Sequence, residues 1–218
     1  MNFEKARFNM VEQQIRPWDV LDFGILDALG DIPREAFVSD AQKPYAYSDK
    51  TLPLPNGGSM LEPKIVARMI QGLDLQPADN VLEIGTGSGY AAALLCKMAA
   101  NVTTIDIDTA QQQRAQAVLD SLGYRNITYQ TGDGLAGEAV GAPFDAIYIG
   151  GGVNNVPENL LQQLKNGGRM VVVVGDAPVQ RALRFVRNGD TFVETTLFDT
   201  LIPKLSSKTD APTAKFSF

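Results

Sequence analysis

The chain has no histidine and a single cysteine, Cys96, among its 218 residues. Those two counts exclude Ser–His–Asp and Cys–His nucleophilic catalysis, an intramolecular disulfide and nearly every structural zinc set, so no metal is expected. Basic residues are also few: 19 Lys and Arg stand against 25 Asp and Glu, a net charge of −6. Broad, sequence-independent nucleic-acid binding needs a basic face that this composition does not supply. No apolar run approaches the length of a membrane span, so no membrane partner is expected. The opening MNFEKARFNMVEQQ is too polar for a secretory leader. The expectation is a soluble cytoplasmic protein, a monomer or small homo-oligomer.

What is present is a normal apolar fraction of 44%, enough for one sizeable α/β domain with an appended segment. Its most informative stretch is VLEIGTGSGY at 81–90, followed by NVTTIDID at 101–108. An apolar run enters the turn Gly85-Thr86-Gly87-Ser88-Gly89, a helical segment follows, and a second apolar run ends at Asp106. Strand, glycine turn, helix and a strand tipped by a carboxylate are the parts a nucleoside ligand needs. Glycine lets the backbone approach the ligand, and the acidic tip accepts from ribose hydroxyls.

The rest of the chain fits around that unit. Residues 3–15 carry a helical pattern stopping at Pro17, and Asp19 to Leu29 reads as a second helix ended by Gly30. Residues 39–61, with Pro44, Pro53, Pro55, Gly57 and Gly58, form a loop-rich stretch of the kind that serves as a lid or binding loop. A helix over 63–73 starts at Pro63 and presents Ile65, Val66, Met69, Ile70 and Leu73 on one face. Strands and helices then alternate: strand 80–84, helix 88–99, strand 101–106, helix 108–122 capped by Asp108, strand 126–131, strand 144–149, helix 157–165, strand 169–174. In the second helix of that series Ala115, Val118, Leu119 and Leu122 are expected to face the sheet, with Gly123 ending it. Residues 180–187 and 191–199 read as a hairpin about Asn188-Gly189-Asp190. The alternation predicts a doubly wound, mostly parallel seven-stranded sheet, with an N-terminal helical cap and a C-terminal antiparallel hairpin. Expected units are a helical cap and substrate loop over 1–61, a ligand-binding domain over 62–205 and a loose polar tail over 206–218.

The glycine spacing discriminates between ligands. Dinucleotide binding needs G-x-G-x-x-G, but here the third glycine falls one position early and Tyr90 takes its place. The G-x-G-x-G form after a strand carrying Glu83 suits S-adenosyl-L-methionine, which presents an amino acid, a sulfonium and an adenosine. Glu83 would pair with its amino group, directly or through water. Asp106 would bind the ribose hydroxyls, Ile107 would lie against the adenine, and Asp133 of the Gly132-Asp133-Gly134 turn would accept from the adenine amine. Without such a ligand, the same glycines simply make a tight strand-to-helix turn.

The chain resembles the protein-L-isoaspartate O-methyltransferase family over about residues 8 to 203. The resemblance is carried by MVEQQI at 10–15, IPREAFV at 32–38, LEIGTGSGYAAALL at 82–95, GDG at 132–134, FDAIYI at 144–149 and VPENLLQQLKNGGRMVVVVG at 156–175. It implies a class I methyltransferase fold, S-adenosyl-L-methionine as cofactor, and isoaspartyl- or D-aspartyl-containing proteins or peptides as methyl acceptors, the first step of protein repair. A carboxylate acceptor is already ionised at neutral pH. It needs no general base, so a chain without histidine can serve by positioning and desolvation.

The substrate side departs from the family. Its G-x-T-I-S-x-P becomes Gly57-Gly58-Ser59-Met60-Leu61-Glu62-Pro63, with Ser59 at the family threonine and Leu61 at the family serine. Ser59 is therefore the candidate catalytic hydroxyl, and Gly58, Leu61 and Lys64 are the substrate-side candidates. Lys64 would offer positive charge to an acceptor carboxylate, or be a solvated lysine on a first helical turn. The family's Ala-Ala-Ala-Pro becomes Gly151-Gly152-Val153-Asn154. These departures keep two alternatives open, a methyltransferase with another acceptor and a non-catalytic donor-binding protein; a dehydrogenase is disfavoured by Tyr90. Arg16 and Trp18 are candidates for the cap over the site, Trp18 also for a packing anchor, and Cys96 for a buried small residue.

Overall fold

The computed structural model describes residues 2–208. Seven strands form one sheet in the order β5-β4-β3-β6-β7-β8-β9. They are β3 (Asn80–Ile84), β4 (Asn101–Asp106), β5 (Ile127–Thr131), β6 (Phe144–Val153), β7 (Leu164–Asp176), β8 (Val179–Asn188) and β9 (Thr191–Thr200). The first five run parallel, and β8 and β9 are antiparallel additions. A two-stranded hairpin, β1 (Leu52–Pro53) with β2 (Ser59–Met60), stands apart from the sheet. The doubly wound fold expected from the alternation is present. The chain runs outward from β3 to β5 and returns to β6 on the other side of β3, which places a topological switch point at the carboxyl end of β3.

The helices are α1 (Phe3–Asn9), α2 (Phe23–Asp31), α3 (Pro63–Leu73), α4 (Tyr90–Met98), α5 (Thr109–Ser121) and α6 (Glu158–Leu161). The apolar stripe expected on α3 is buried at Ile65, Val66, Met69, Ile70 and Leu73, and Pro63 begins the helix where its missing N–H costs nothing. Val171, Val172 and Val173 of β7 are fully buried, as a strand covered on both faces requires. One core lies between the sheet and α1–α5, the other under α6 on the opposite face.

Several boundaries differ from the sequence expectation. The first helix does not stop before Pro17 but winds on as a π-turn over Met10–Ile15 and a 3-10 turn over Arg16–Trp18. α2 starts at Phe23 because the Asp22 side chain caps it by accepting from Ile25 N, and it runs through Gly30. The helix expected over 157–165 is only α6, since Leu164 already pairs with Phe144 in the sheet. In α5, Leu122 is exposed, while Gln111 and Gln112 are buried instead. They are buried because their amides are satisfied: Gln111 donates to Gly87 O at 2.7 Å and Gln112 to Thr104 O at 3.2 Å. The expected loose tail is partly ordered. Ser207 and Lys208 are held by hydrogen bonds to Asp133, and residues 209–218 of that expectation lie outside the described residues.

Arg169 ties the layers together behind the site. Its guanidinium donates to Leu73 O at 2.5 Å, Asp74 O at 2.5 Å, Asp145 O at 3.1 Å and Asp79 Oδ2 at 2.6 Å. One side chain thus joins the end of α3, the entry to β3, and β6 and β7. Arg169→Ala would leave Asp79 buried without its partner and three carbonyls unbonded. The expected loss is about 3–5 kcal/mol of unfolding free energy, read from urea denaturation. A loss under about 1 kcal/mol would show that the layers hold without this clamp.

Candidate functional site

A cavity of about 240 Å³ opens where the switch point predicts one, at the carboxyl ends of β3, β4 and β6. Its floor is Gly85 and Gly87 of the glycine turn, flanked by Ile84 at the end of β3, Ile105 and Asp106 of β4, and Ile107 just after it. Asp133, Gly134 and Leu135 follow β5, and Gly150 belongs to β6. The hairpin supplies Leu54, Asn56, Gly57, Gly58 and Ser59, and Leu61 follows it. Residues 203–206 supply a wall that sequence reading assigned no role.

The turn after β3 has three residues at positive φ: Gly85 at 86°, Gly87 at 52° and Gly89 at 85°. A side chain there is strained by roughly 1–2 kcal/mol per position. Asp106 locks the turn, accepting from Gly87 N at 3.0 Å and from Asp108 N at 2.9 Å. Its carboxylate is also at the cavity wall, as a ribose acceptor must be. Gly89 is different. It lies outside the cavity, and a Cβ there would meet Leu119 Cδ1 at 3.1 Å and Ala115 Cβ at 3.2 Å. Its glycine serves the packing of α5. Thr86 and Ser88 line a separate small chamber of about 30 Å³ with Ser59, Leu61, Tyr90 and Tyr148. Ser88 Oγ accepts from Tyr90 N at 3.2 Å.

Glu83 is wholly buried and does not line the cavity. It faces Thr104 across the strand pair and accepts from Thr104 Oγ1 at 2.6 Å; that hydroxyl is 2.6 Å from Thr86 Oγ1. Glu83 Oε1 has no partner. Burial pushes the Glu83 carboxyl up to about 8, the Thr104 bond works against this, and the nearby Asp106 charge adds to it.

Asp133 reaches the cavity but its acceptor positions are filled. Oδ1 takes Leu135 N at 3.1 Å and Ala136 N at 3.2 Å, and Oδ2 takes Ser207 Oγ at 2.6 Å and Lys208 N at 2.7 Å. Burial alone would raise its pKa; these donors outweigh burial and hold it below the ordinary carboxylate range. An adenine amine would reach this carboxylate only at the expense of one of those bonds. The segment that supplies two of them is fastened to β6, through Gly152 N to Pro203 O at 2.9 Å and Leu205 N to Gly152 O at 2.9 Å. Leu205 lies directly on Gly85 and Gly151, where an added Cβ would be 2.9 Å and 2.8 Å from its side chain. A Cβ on Gly150 would stand 2.9 Å from Gly85 O. The glycine run of β6 is therefore what lets this strap and the turn close on each other.

On the other side, Gly58, Ser59 and Leu61 line the cavity as expected, and Lys64 does not. Its ammonium is held by Asp49 at 2.6 Å and Glu62 at 3.3 Å, and sits 4.4 Å from the Trp18 ring centroid. It offers no free charge to an acceptor. Trp18 is partly exposed beside Lys64, Arg16 pairs with Glu12, and Cys96 is buried with its thiol pushed up to about 12 by burial. Among the described residues no cluster of His, Cys, Asp or Glu could hold a metal. The cavity residues missed from sequence are Leu54, Asn56, Gly57, Ile84, Ile105, Leu135, Gly150 and the strap; for the strap, Pro203 and Leu205 just before the polar tail were the available signal.

The cavity fits an adenosyl sulfonium donor: a floor without side chains, two carboxylates at its wall and an apolar surface at Ile84, Ile105 and Ile107. A family model described as Protein-L-isoaspartate(D-aspartate) O-methyltransferase matches residues 6–206. A Protein-L-isoaspartate O-methyltransferase of Roseiflexus sp. (strain RS-1) is 42% identical over 191 residues, covering 88% of this chain and 87% of its own. One from Koribacter versatilis (strain Ellin345) is 45% identical over 185 residues, covering 85% and 83%. A solved structure with the same name has a TM-score of 0.80 at 26% identity, over 94% of this chain and 66% of its own length. A Plasmodium falciparum structure, in complex with S-adenosyl-L-homocysteine, has a TM-score of 0.77 at 16% identity, covering 94% and 99%, and attests the fold.

The burial of Glu83 sets a pH response in the protein alone. In the unfolded chain this carboxyl ionises above about 4.5, but in the folded protein only above about 8. Between those values the folded state holds the extra proton, so rising pH works against folding. Glu83→Gln removes the effect. The stability of the variant relative to the parent should therefore rise by about 2–4 kcal/mol from pH 5 to pH 8, measured by urea unfolding. A difference that stays flat with pH would show that Glu83 exchanges no proton in that range.

Proposed function

The chain belongs to the protein-L-isoaspartate(D-aspartate) O-methyltransferase family, and from that premise we propose that it methylates the free carboxylate of L-isoaspartyl and D-aspartyl residues in damaged proteins. S-adenosyl-L-methionine is the methyl donor, as in the family. The observation that carries the reading is the single cavity shared by the Asp106-locked glycine turn and the Ser59–Leu61 segment, which brings donor side and acceptor side to one space.

The donor supplies an electrophilic methyl on a sulfonium. The chain's own residues supply place and surroundings. Gly85 and Gly87 present backbone without side chains, Asp106 accepts from the ribose hydroxyls, and Ile107 lies against the adenine. Gly134 leaves room beside them. Ser59 offers the one hydroxyl of the acceptor segment, and Leu61 excludes water from the acceptor carboxylate. That carboxylate arrives ionised, so orientation and desolvation suffice and no residue need take a proton. We assign residues 1–61 to the acceptor side, 62–205 to the donor-binding domain and 206–218 to the tail. The acidic surface and single unpaired thiol support protein or peptide acceptors, rather than nucleic acid, in a cytoplasmic setting, with a monomer or small homo-oligomer as the working unit.

A second reading rests on Leu61. An apolar side chain at the family's serine position favours an acceptor other than the isoaspartyl carboxylate, with Leu61 lining its pocket.

Two measurements separate these. Asp106→Ala should weaken binding of S-adenosyl-L-homocysteine by about 1–3 kcal/mol in calorimetry; unaltered affinity would remove Asp106 from the site. In an assay with an isoaspartyl peptide and labelled donor, the protein should form a base-labile ester that releases methanol, and Leu61→Ser should raise that turnover roughly tenfold by restoring a hydrogen-bond donor that orients the acceptor carboxylate toward the methyl group. Donor binding without any ester would favour the second reading. An unchanged or lower rate in the variant would take the role away from that position.

A further inference from the structure

Arg34 stands outside the cavity, yet it touches Leu61, which lines it, and Tyr90, which directly follows its glycine turn. It opens the 3-10 turn Arg34–Phe37 and is fully buried. Nε donates to Ala46 O at 2.8 Å and Nη2 to Leu61 O at 2.8 Å. The guanidinium lies 4.6 Å from the centroid of the Tyr90 ring, and Nη1 has no acceptor. Tyr90 is the first residue of α4, directly after the glycine turn. Leu61 ends the segment whose Ser59 and Leu61 side chains, two residues apart, both face the cavity.

This placement is costly. A guanidinium cannot shed its proton, and here it meets carbonyl dipoles and a ring face where a buried charge ordinarily needs a carboxylate in contact. A long apolar side chain would fill the same space without that cost. What it could not do is hold two carbonyls fifteen residues apart in one plane, which is the property of the rigid fork. We propose that Arg34 is the positioning residue of the acceptor segment: it fixes the Leu61 carbonyl against Ala46 and Tyr90, and so sets the direction of Ser59 and Leu61 toward the donor side. The assignment rests on the methyl-transfer reading above for its kinetic consequence, but its structural part stands without it.

The test compares the parent protein with Arg34→Met, which keeps the length and removes the buried charge, and Arg34→Lys, which keeps the charge and loses the fork. Affinity for S-adenosyl-L-homocysteine should stay within about threefold in both, while methyl transfer to the isoaspartyl peptide falls at least tenfold, in kcat more than in donor KM. Arg34→Lys should recover little of it. Amide hydrogen exchange across residues 46–62, which needs no acceptor, should quicken at least tenfold in both variants. Folded variants with parental exchange in that segment would overturn the proposal whatever the assay gives, and so would full activity in Arg34→Met. Donor affinity falling in step with transfer, or failure of both variants to fold, would make Arg34 a general structural support and withdraw the assignment. A parent protein silent on the peptide counts against the isoaspartyl reading alone, and the exchange experiment still decides the case of Arg34.

Discussion

The contact between the Asp106 carboxylate and Gly87 N, at 3.0 Å, is the constraint on which the site depends. A turn with three positive-φ glycines in five residues has many conformations open to it. Asp106 selects one by holding Gly87 N and Asp108 N together, and Gln111 holds Gly87 O from the next helix. The turn is thereby fastened to β4 and α5, and its bare backbone becomes a floor. The same carboxylate faces the cavity, so the group that shapes the turn is also the one placed to meet a ribose.

Around that floor each wall comes from a different part of the chain, and each is held by its own polar anchor. The strap is held by Asp133 and by Gly152. The acceptor segment is held by the buried fork of Arg34. Lys64, expected on the acceptor side, is committed to Asp49 and Glu62. The charged residues lining the cavity are Asp106 and Asp133, with Lys204 of the strap paired to Asp176, a setting suited to a cationic donor. The acceptor side relies on shape.

Much of this was legible in the amino-acid order. Asp106 could be found because a carboxylate at a strand tip after a glycine turn has few other uses, and the sheet because apolar runs and helical stripes alternate regularly. What could not be read depends on partners far along the chain. Gln111 and Gln112 look like surface residues until carbonyls of Gly87 and Thr104 are brought to them. Leu160, Leu161 and Leu164 fit a helix or a strand entry equally, and pairing of Leu164 with Phe144 decides the matter. Glu83 sits in the pattern of a ligand contact, and its wholly buried place beside the Thr104 hydroxyl, which comes from the next strand, could not be read from the order of residues. Lys64 could be placed on its helix but not beside Asp49.

The strap has a consequence for how the protein is made. β6 continues to Val153 after its neighbour β3 has ended at Ile84 and left the sheet. The backbone of Gly152, bared by that departure, is satisfied by Pro203 and Leu205. The glycine turn and Asp106 stand in the first half of the chain, whereas the strap follows β9 and is made after every strand of the sheet. The enclosure is complete only once Pro203 and Leu205 have been made and have bound Gly152, so the last wall to be synthesised is the one that closes the chamber.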